Sequence, residues 1–225
     1  MNSDQDTAGK TAITELHFLP SAAWFALISG YSEVVLDVHE NYVKQSYRNR
    51  SIINTANGPE ALVVPVLHTG DKQPVNMVKI DNSGNWNIRI WRSLQAAYGR
   101  SPYYLYYADE LKQILLDAPD NLAELNACLL TFCLKAFGIK TKMNFSTAFV
   151  SASEAAENKL ADRRGILHPK KQALQLPFIP YKQVFGKEFV PGTGAADLLF
   201  CLGPDSGKLI AHTAEANRNS GLLHT

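Results

Sequence analysis

The stretch KQSYRNR, which begins at Lys44, groups basic and polar side chains in a way that could bind an anion. If it forms a strand, its side chains alternate between two faces, so Lys44, Arg48 and Arg50 share one face. Guanidinium groups hold phosphate or carboxylate groups through two hydrogen bonds each. The pattern indicates either a solvated basic surface or an anionic-substrate site that also includes Tyr47 and Asn49.

Two histidines are candidates for acid–base chemistry because each lies at or near the end of a predicted strand. His17 follows AITEL, and His39 directly follows VVLDV with Glu40 next. Imidazole titrates near neutral pH, so these histidines could transfer protons as catalytic groups. His68 lies at a third strand end, and all three are also consistent with ordinary surface or core histidines. No metal site is predicted, since Asp37 and its neighbours lack the spacing of a zinc motif.

Two further arginines, Arg92 and Arg163, are candidates for substrate contacts. Arg92 follows Trp91 in an aromatic-rich region that extends through YYLYY at 103–107. Aromatic faces can stack on sugars and bases, although the same side chains can simply pack in the core. Arg163 belongs to the run DRRG. The segment 151–172 around it is either an exposed surface loop or a lid that closes over a ligand.

Secondary-structure signals place these candidates on a mixed α/β frame. A strand at 12–20, a helix capped by Ser21 and a strand at 32–38 are typical of a β-α-β unit. Asn57-Gly58 marks the turn of a hairpin. The other predicted elements are strands at 45–53, 60–68, 75–81 and 141–149 and helices at 86–99, 101–117, 121–138 and 194–203.

The predicted fold is an α/β or α+β single domain, in which a mixed β-sheet from the N-terminal half is packed by helices from the middle of the chain. Residues 11–206 are assigned to this domain. Residues 1–10 are predicted to be a disordered tail and 207–225 a loosely packed one. The 225 residues suffice to bury a sizeable core.

Composition argues against several classes of protein. With 22 basic and 21 acidic residues, the chain has no overall field that would attract nucleic acid. The polar N-terminus lacks the apolar run of a signal peptide, and no run approaches the roughly 20 apolar residues of a membrane helix. We therefore expect a cytoplasmic protein without membrane insertion, and the cofactor and oligomeric state stay unknown. Cys128, Cys133 and Cys201 lie in apolar runs and are predicted to be buried thiols.

Six sequence runs, spread over roughly residues 12–206, carry a family resemblance. They are ELHFLPSAAWFALI, VVLDVHENYVKQSYRNRSII, ALVVPV, KIDNSGNW, AAYGRSPYY and ADLLFCLGPDSG. Together they resemble the WbqC-like protein family, bacterial proteins with members encoded in O-antigen and other surface-polysaccharide clusters. HENYVKQSYRNR and DRRG resemble a Bacteroidetes-type branch. The usual first strand of the family is closer to HQPxYLP, whereas this chain has LHFLP and keeps only the imidazole of His17.

The resemblance implies a role in surface-polymer biosynthesis, with transfer of a small acyl or aminoacyl group to a sugar. Its small-molecule substrate would be a phosphorylated or nucleotide-linked sugar, held by Arg48 and Arg50 with help from Lys44. The acid–base group would be His17 or His39. The alternative is a non-catalytic partner, or a sugar-nucleotide-binding module, of a polymer-assembly complex. The enzyme requires the arginines and a histidine to converge, whereas the partner protein requires an exposed apolar patch such as YYLYY.

Overall fold

Strands and helices are interspersed along the chain, as in mixed α/β proteins. The computed structural model describes residues 10–67, 72–169 and 176–220. In chain order its strands and α-helices are β1 (Thr11–Glu15), α1 (Ala22–Ile28), β2 (Glu33–Asp37), β3 (Arg50–Thr55), β4 (Gly58–Val63), α2 (Trp86–Tyr98), α3 (Tyr104–Leu116), α4 (Leu122–Phe137), β5 (Lys142–Phe145), α5 (Ala152–Glu157), β6 (Ala161–Asp162), α6 (Ala195–Leu202) and α7 (Ser206–Asn219). The predicted α/β class is confirmed.

Strands β1 and β2 and helix α1 form the β-α-β unit that the sequence predicts. The Ser21 hydroxyl accepts a hydrogen bond from the Trp24 backbone N–H at 3.3 Å, which satisfies a donor that is otherwise unpaired at a helix start. Every residue of α1 is buried. The unit therefore lies inside the fold and holds the ends of its two strands in place.

A four-stranded parallel sheet is built around this unit, in the order β5-β2-β1-β6. Glu15 at the end of β1 lies opposite Asp37 at the end of β2. On the outer side of β2, Leu36 lies opposite Phe145 of β5. Because all four strands run in the same direction, their carboxyl ends meet at one edge of the sheet, which is where α/β proteins commonly bind ligands.

The second sheet is the antiparallel hairpin β3–β4, whose turn is Ala56-Asn57, one residue before the predicted Asn57-Gly58, so that Gly58 is the first residue of β4. Gly58 has a φ of +98°, a conformation that glycine adopts without strain. Helices α2, α3, α4 and α6 pack on one another, and α2 and α6 also contact the hairpin. One hydrophobic cluster joins these helices to the parallel sheet. The chain thus forms a single mixed α/β domain, with parallel and antiparallel strands in separate sheets.

The strand predicted at 45–53 begins only at Arg50. The preceding residues form turns, in which Gln45 adopts a φ of +59° and the Ser46 hydroxyl donates to the Val43 carbonyl at 2.6 Å. Side chains in a turn do not alternate as they do in a strand. The prediction of one shared basic face is therefore wrong, since Lys44 is exposed whereas Arg48 is buried.

The strand predicted at 75–81 is also wrong. Its first part is a 3-10 helix over Val75–Met77, preceded by Pro74. The following backbone pairs with two segments. The Leu122 N–H donates to the Val78 carbonyl and the Ile80 N–H to the Asp120 carbonyl, while the Leu67 N–H donates to the Lys79 carbonyl and the Asp81 N–H to the Pro65 carbonyl. Only isolated bridges form there within the described part of the chain, because the hydrogen-bonding groups are divided between the start of α4 and residues 65–67.

The C-terminal region differs from the loosely packed tail expected at 207–225. Residues 206–219 form α7, which packs against α1. Its buried residues Ile210, Thr213, Ala214 and Asn217 have the spacing of one helix face.

Residues 221–225, and residues 1–9 of the expected N-terminal tail, lie outside the described ranges. Helix α3 starts three residues later than predicted, and Cys128 is exposed, whereas Cys133 and Cys201 are buried.

Candidate functional site

The carboxyl edge of the parallel sheet gathers most of the buried charged groups. β1 and β2 end in the same pattern, an acid followed two residues later by histidine: Glu15 with His17, and Asp37 with His39. Since the two acids are opposite in register, the two predicted catalytic histidines follow adjacent strand ends. We call the following residues the sheet-edge cluster: Glu15, His17, Asp37, His39, Glu40, Arg48, Ser146, Asp162 and Arg164.

Glu15 and His17 form a buried acid–imidazole pair. His17 Nε2 lies 3.5 Å from Glu15 Oε1, and the His17 side chain is 1% exposed. The two Glu15 carboxylate oxygens also accept from the Gly165 backbone N–H, at 3.0 and 3.2 Å. Burial alone would raise the pKa of Glu15, but the hydrogen bond from His17 and the nearby Arg48 outweigh it and lower this pKa to about 2. Glu15 is therefore an anion at neutral pH.

His17 is held as a neutral imidazole. Burial lowers its pKa because it disfavours the imidazolium, and the Glu15 carboxylate opposes this only in part. With Nε2 facing Glu15, the lone pair of a neutral ring falls on Nδ1. Within the described ranges Nδ1 is buried and has no hydrogen-bond partner, and the ring packs 5.4 Å from the Tyr47 ring and 6.1 Å from the Trp24 ring. This arrangement suits a general base.

Asp37 organises the neighbouring strand end. Its Oδ1 accepts from the backbone N–H groups of His39 and Glu40, at 3.2 and 3.1 Å, and from the Ser146 hydroxyl at 3.2 Å. The Ser146 Oγ also lies 3.1 Å from Nδ1 of the half-buried His39. Ser146 directly follows β5, so one carboxylate connects the ends of two strands.

Arg164 joins the far side of the sheet to Asp37. Its Nη1 donates to Asp37 Oδ2 and to the Val150 carbonyl, both at 2.6 Å. Its Nε and Nη2 donate to the two oxygens of Asp162, at 3.0 and 2.6 Å. The hydrogen bonds to Asp162 and Asp37 raise the pKa of Arg164, whereas burial acts in the opposite direction. The guanidinium therefore holds β2 and β6 together across β1.

Arg48 is already paired within the protein. Its Nε and Nη2 donate to the two oxygens of Glu40, at 2.8 and 2.6 Å, and the two side chains are 8% and 12% exposed. Burial raises the pKa of Glu40, an effect that Arg48 reduces. The backbone carbonyl of Arg48 also accepts from Asn126 at 2.8 Å. The predicted anion-binding arginine is thus neutralised by a carboxylate.

The other residues of KQSYRNR have separate roles. Asn49 donates to the Val64 carbonyl at 2.9 Å, and Tyr47 packs on His17. Lys44 is exposed in the turn. In the part of the chain that the structure describes, Arg50 Nε is buried without a hydrogen-bond partner. Burial raises the pKa of Tyr42, and the nearby charges of Arg50 and Arg48 oppose this, so the two arginines lie close to one tyrosine.

Arg92 and Arg163 are not part of the sheet-edge cluster. Arg92 is exposed on α2, which packs chiefly on α3, α6 and the hairpin. Arg163 Nε donates to the Tyr31 hydroxyl at 2.9 Å, and its guanidinium lies 5.8 Å from the Tyr31 ring centre. Because side chains alternate along β6 and beyond it, Asp162 and Arg164 share the other side. Arg164 is therefore the arginine of DRRG that lies in the sheet-edge cluster, and a substrate contact of Arg163 stays a prediction.

Four members of the cluster were not among the candidates from the sequence: Glu15, Ser146, Asp162 and Arg164. The repeated acid-x-His pattern at two strand ends would have revealed Glu15. Ser146 gives no local signal, because its partners Asp37 and His39 are more than 100 residues away.

In the described ranges no group of three or more His, Cys, Asp or Glu side chains could hold a metal ion. The same ranges contain no helix that is both long and apolar enough to cross a membrane.

The sheet edge lies largely within the part of the chain that is similar to known proteins. The model of the WbqC-like protein family matches residues 16–165, which include the sheet-edge cluster except Glu15 and exclude DLLFCLGP. Among the relatives is "Uncharacterized protein Rv1507c" of Mycobacterium tuberculosis, 31% identical over 136 residues, which are 60% of this chain and 58% of that protein. The chain thus spans little more than half of that relative. No solved structure gives a significant match. Since the family model covers more than half of the residues, the chain belongs to the WbqC-like protein family.

Proposed function

We propose that the chain is a cytoplasmic transferase of bacterial surface-polysaccharide biosynthesis. Its substrate bears a phosphate or carboxylate group, and it transfers a small acyl or aminoacyl group to a sugar. The observation that supports an enzyme most directly is the pair of acid-x-His patterns at adjacent carboxyl ends of parallel strands. The polysaccharide setting and the acyl or aminoacyl transfer are what the family resemblance implies.

Acyl transfer to a sugar needs a base that removes a proton from the attacking hydroxyl or amine. The oxygen or nitrogen then forms a bond to the acyl carbon, and the bond to the leaving group breaks. A neutral imidazole is suited to the first step, and a buried carboxylate beside it stabilises the imidazolium that forms. His17 has this environment through Glu15, and His39 follows the adjacent strand end.

Arg50 is the better candidate for binding the anionic group. Arg48 already forms two charged hydrogen bonds to Glu40, so an anion would have to displace that carboxylate. The Nε of Arg50 is buried, and no described residue accepts a hydrogen bond from it. Buried polar groups in proteins are usually hydrogen-bonded, so a group without a partner is a candidate for ligand contact. We assign Lys44, exposed in the nearby turn, a supporting role.

A thermal-shift panel tests the proposal. The compounds are nucleotide sugars, nucleotides, phosphosugars, coenzyme A and amino acids. A ligand at about 100 times its Kd adds about 2.7 kcal/mol, which corresponds to a rise of roughly 5–10 °C in Tm for a domain of this size. We expect such a rise in the native protein, its loss in Arg50→Ala, and its retention in Arg89→Ala, the control with an exposed arginine. The proposal fails if no compound shifts the native Tm.

One observation favours the non-catalytic alternative. Leu105 and Tyr106, within YYLYY, are 87% and 79% exposed on α3, and adjacent exposed apolar side chains can mark a protein interface. If this surface is the functional one, a partner captured from the native host will be lost in Leu105→Ser/Tyr106→Ser and kept in Arg50→Ala. Together with a negative ligand panel, that result would favour the partner protein over the transferase.

A further inference from the structure

The hydroxyl of Ser146 makes three polar contacts at the sheet edge. Its oxygen lies 3.2 Å from the Val38 backbone nitrogen, 3.2 Å from Asp37 Oδ1 and 3.1 Å from His39 Nδ1. A serine hydroxyl has one proton to donate and two lone pairs that accept. Of the three hydrogen bonds, the hydroxyl therefore donates one and accepts two. Once the donor is known in two of them, the donor of the third is fixed.

Two of these directions follow from the partners. The Val38 backbone N–H can only donate. The Asp37 carboxylate, paired with Arg164, can only accept, so the hydroxyl proton points to Asp37. If the proton pointed to His39 instead, two oxygens would face each other at 3.2 Å with no hydrogen between them, which is unfavourable in a buried site. The remaining contact must be donated by His39 Nδ1–H.

This order differs from that of a nucleophilic Ser-His-Asp triad. There the imidazole takes the proton of the serine, and the carboxylate holds the imidazole. Here the carboxylate contacts the hydroxyl, so the serine proton is directed to Asp37 and Ser146 is not activated as a nucleophile. A neutral imidazole carries only one ring proton. With that proton on Nδ1, the lone pair of His39 lies on Nε2.

We propose that Ser146 is a positioning residue that fixes the Nδ1–H tautomer of His39, so that Nε2 is the atom of His39 that accepts a proton from substrate. His39 is half-buried, whereas His17 is 1% exposed, so a substrate reaches His39 with less rearrangement of the fold. The catalytic consequence rests on the proposed transferase function. The tautomer is a property of the protein without ligand.

NMR of the full-length protein labelled with ¹⁵N and ¹³C tests the tautomer directly. The spectra are recorded at a pH where His39 is neutral, and they distinguish a protonated ring nitrogen from one that carries a lone pair. We expect the proton on Nδ1 and the lone pair on Nε2. A native His39 protonated on Nε2 overturns the proposal, whatever the substrate is.

Three variants separate positioning from a purely structural role. Ser146→Ala removes the acceptor, and we expect His39 to shift toward the Nε2–H tautomer. Ser146→Thr keeps the hydroxyl and restores the native signature. Thr147→Ala, at an exposed neighbouring hydroxyl, leaves it unchanged. If Ser146→Ala keeps the native tautomer, Ser146 does not position the ring.

The catalytic step is tested separately, with a compound found by the ligand panel. His39→Gln is expected to abolish turnover while the compound still binds. If the tautomer is confirmed but His39→Gln turns over like the native protein, Nε2 is not the proton acceptor. If no compound binds at all, the transferase function fails while the tautomer assignment stands.

Discussion

Two buried carboxylates, Glu15 at the sheet edge and Asp197 in α6, are stabilised by different kinds of partner. Glu15 lies beside His17 and near Arg48. Asp197 is surrounded by neutral donors: the hydroxyls of Tyr98 and Tyr181 and the amide of Gln183 donate to it at 2.8, 2.5 and 2.8 Å. We call these four residues, with Thr193, the Asp197 network.

The Asp197 network has the properties of a tether. Its donors come from α2 and from the segment before α6, so the carboxylate joins three parts of the chain. Burial, together with the negative charge of Asp197, raises the pKa of Tyr98 and Tyr181, so both hydroxyls keep the protons that they donate. No described polar side-chain atom of the network is buried without a partner, whereas the sheet edge leaves His17 Nδ1 unpaired. The difference distinguishes a region whose described polar groups are paired within the fold from one in which a buried ring nitrogen has no described partner.

Removing the acceptor of the Asp197 network should have the largest effect. Asp197→Ala leaves two buried hydroxyls and a buried amide without their acceptor, and we expect it to lower the free energy of unfolding by about 3–5 kcal/mol. Urea denaturation measures this. Asp205→Ala, at an exposed acid paired with an exposed lysine, is the control and should change stability by roughly 0.5 kcal/mol or less. A small effect of Asp197→Ala would show that the network does not tether the fold.

Breaking the Arg48–Glu40 pair tests whether the sheet edge also contributes to stability. Arg48→Met leaves Glu40 as a largely buried, unpaired carboxylate, and we expect a loss of about 3 kcal/mol. The double variant Glu40→Leu/Arg48→Met, which leaves no unpaired charge, should recover at least about 1 kcal/mol of this loss. Chemical denaturation of the native protein, the two single variants Arg48→Met and Glu40→Leu, and the double variant closes the cycle. If the double variant is no more stable than Arg48→Met, the pair is not coupled.

The pairing of Arg48 also shows what local sequence could not provide. The β-α-β unit was predictable because the cap Ser21 and the two β-branched runs are local signals. The side on which the Arg48 side chain lies was not predictable. Side chains alternate between two faces only in a strand, and Gln45, with its positive φ, belongs to a turn instead. Once the chain turns, the partner of a charged side chain depends on tertiary structure.

The remainder of the site depends on contacts that are distant in sequence. Arg164 reaches Asp37 across 127 positions and Ser146 reaches it across 109, because β5 and β6 join the sheet long after β2. Both predicted catalytic histidines lie at the strand ends where the sequence placed them, and their assigned role stays a prediction. The repeated acid-x-His pattern was visible in the sequence, but its meaning required the parallel register that sets Glu15 opposite Asp37.

Removing one donor to Asp197, instead of the carboxylate itself, tests whether several donors share the stabilisation. Tyr98→Phe removes one donor to Asp197 and the acceptor of the Asn54 N–H, which donates to the Tyr98 hydroxyl at 3.2 Å. The other donors remain, so we expect a loss of only about 1–2 kcal/mol. Urea denaturation, with Tyr106→Phe at an exposed position as the control, gives the value. A loss as large as that of Asp197→Ala would mean that Tyr98 dominates the network.

The smallest effect that we predict concerns the pH dependence of His17. Its pKa is lowered from the ordinary value of 6.5 in the folded protein, so below pH 6.5 the unfolded chain binds the proton more readily. The free energy of unfolding must therefore fall as the pH falls from 6.5. One proton changes it by at most about 1.4 kcal/mol per pH unit, so between pH 6.5 and 5.5 we expect a fall of at most about 1 kcal/mol. The contribution of Glu15 is lost at lower pH, between 4.5 and about 2.

Comparison of variants isolates this histidine, because His17→Gln lacks the titrating group and keeps every other one. Stability curves from urea denaturation at pH 5.5, 6.5 and 7.5 are aligned at pH 7.5, which removes the offset that the substitution itself causes. As the pH falls, the free energy of unfolding of the native protein should then drop below that of His17→Gln. His212→Gln, at an exposed position of α7, should follow the native curve. Parallel curves for the native protein and His17→Gln would mean that His17 accepts a proton as readily in the folded state as in the unfolded one. His17 would then behave as an ordinary histidine, and the sheet edge would lose the imidazole that burial keeps neutral below pH 6.5, a group that the Asp197 network lacks.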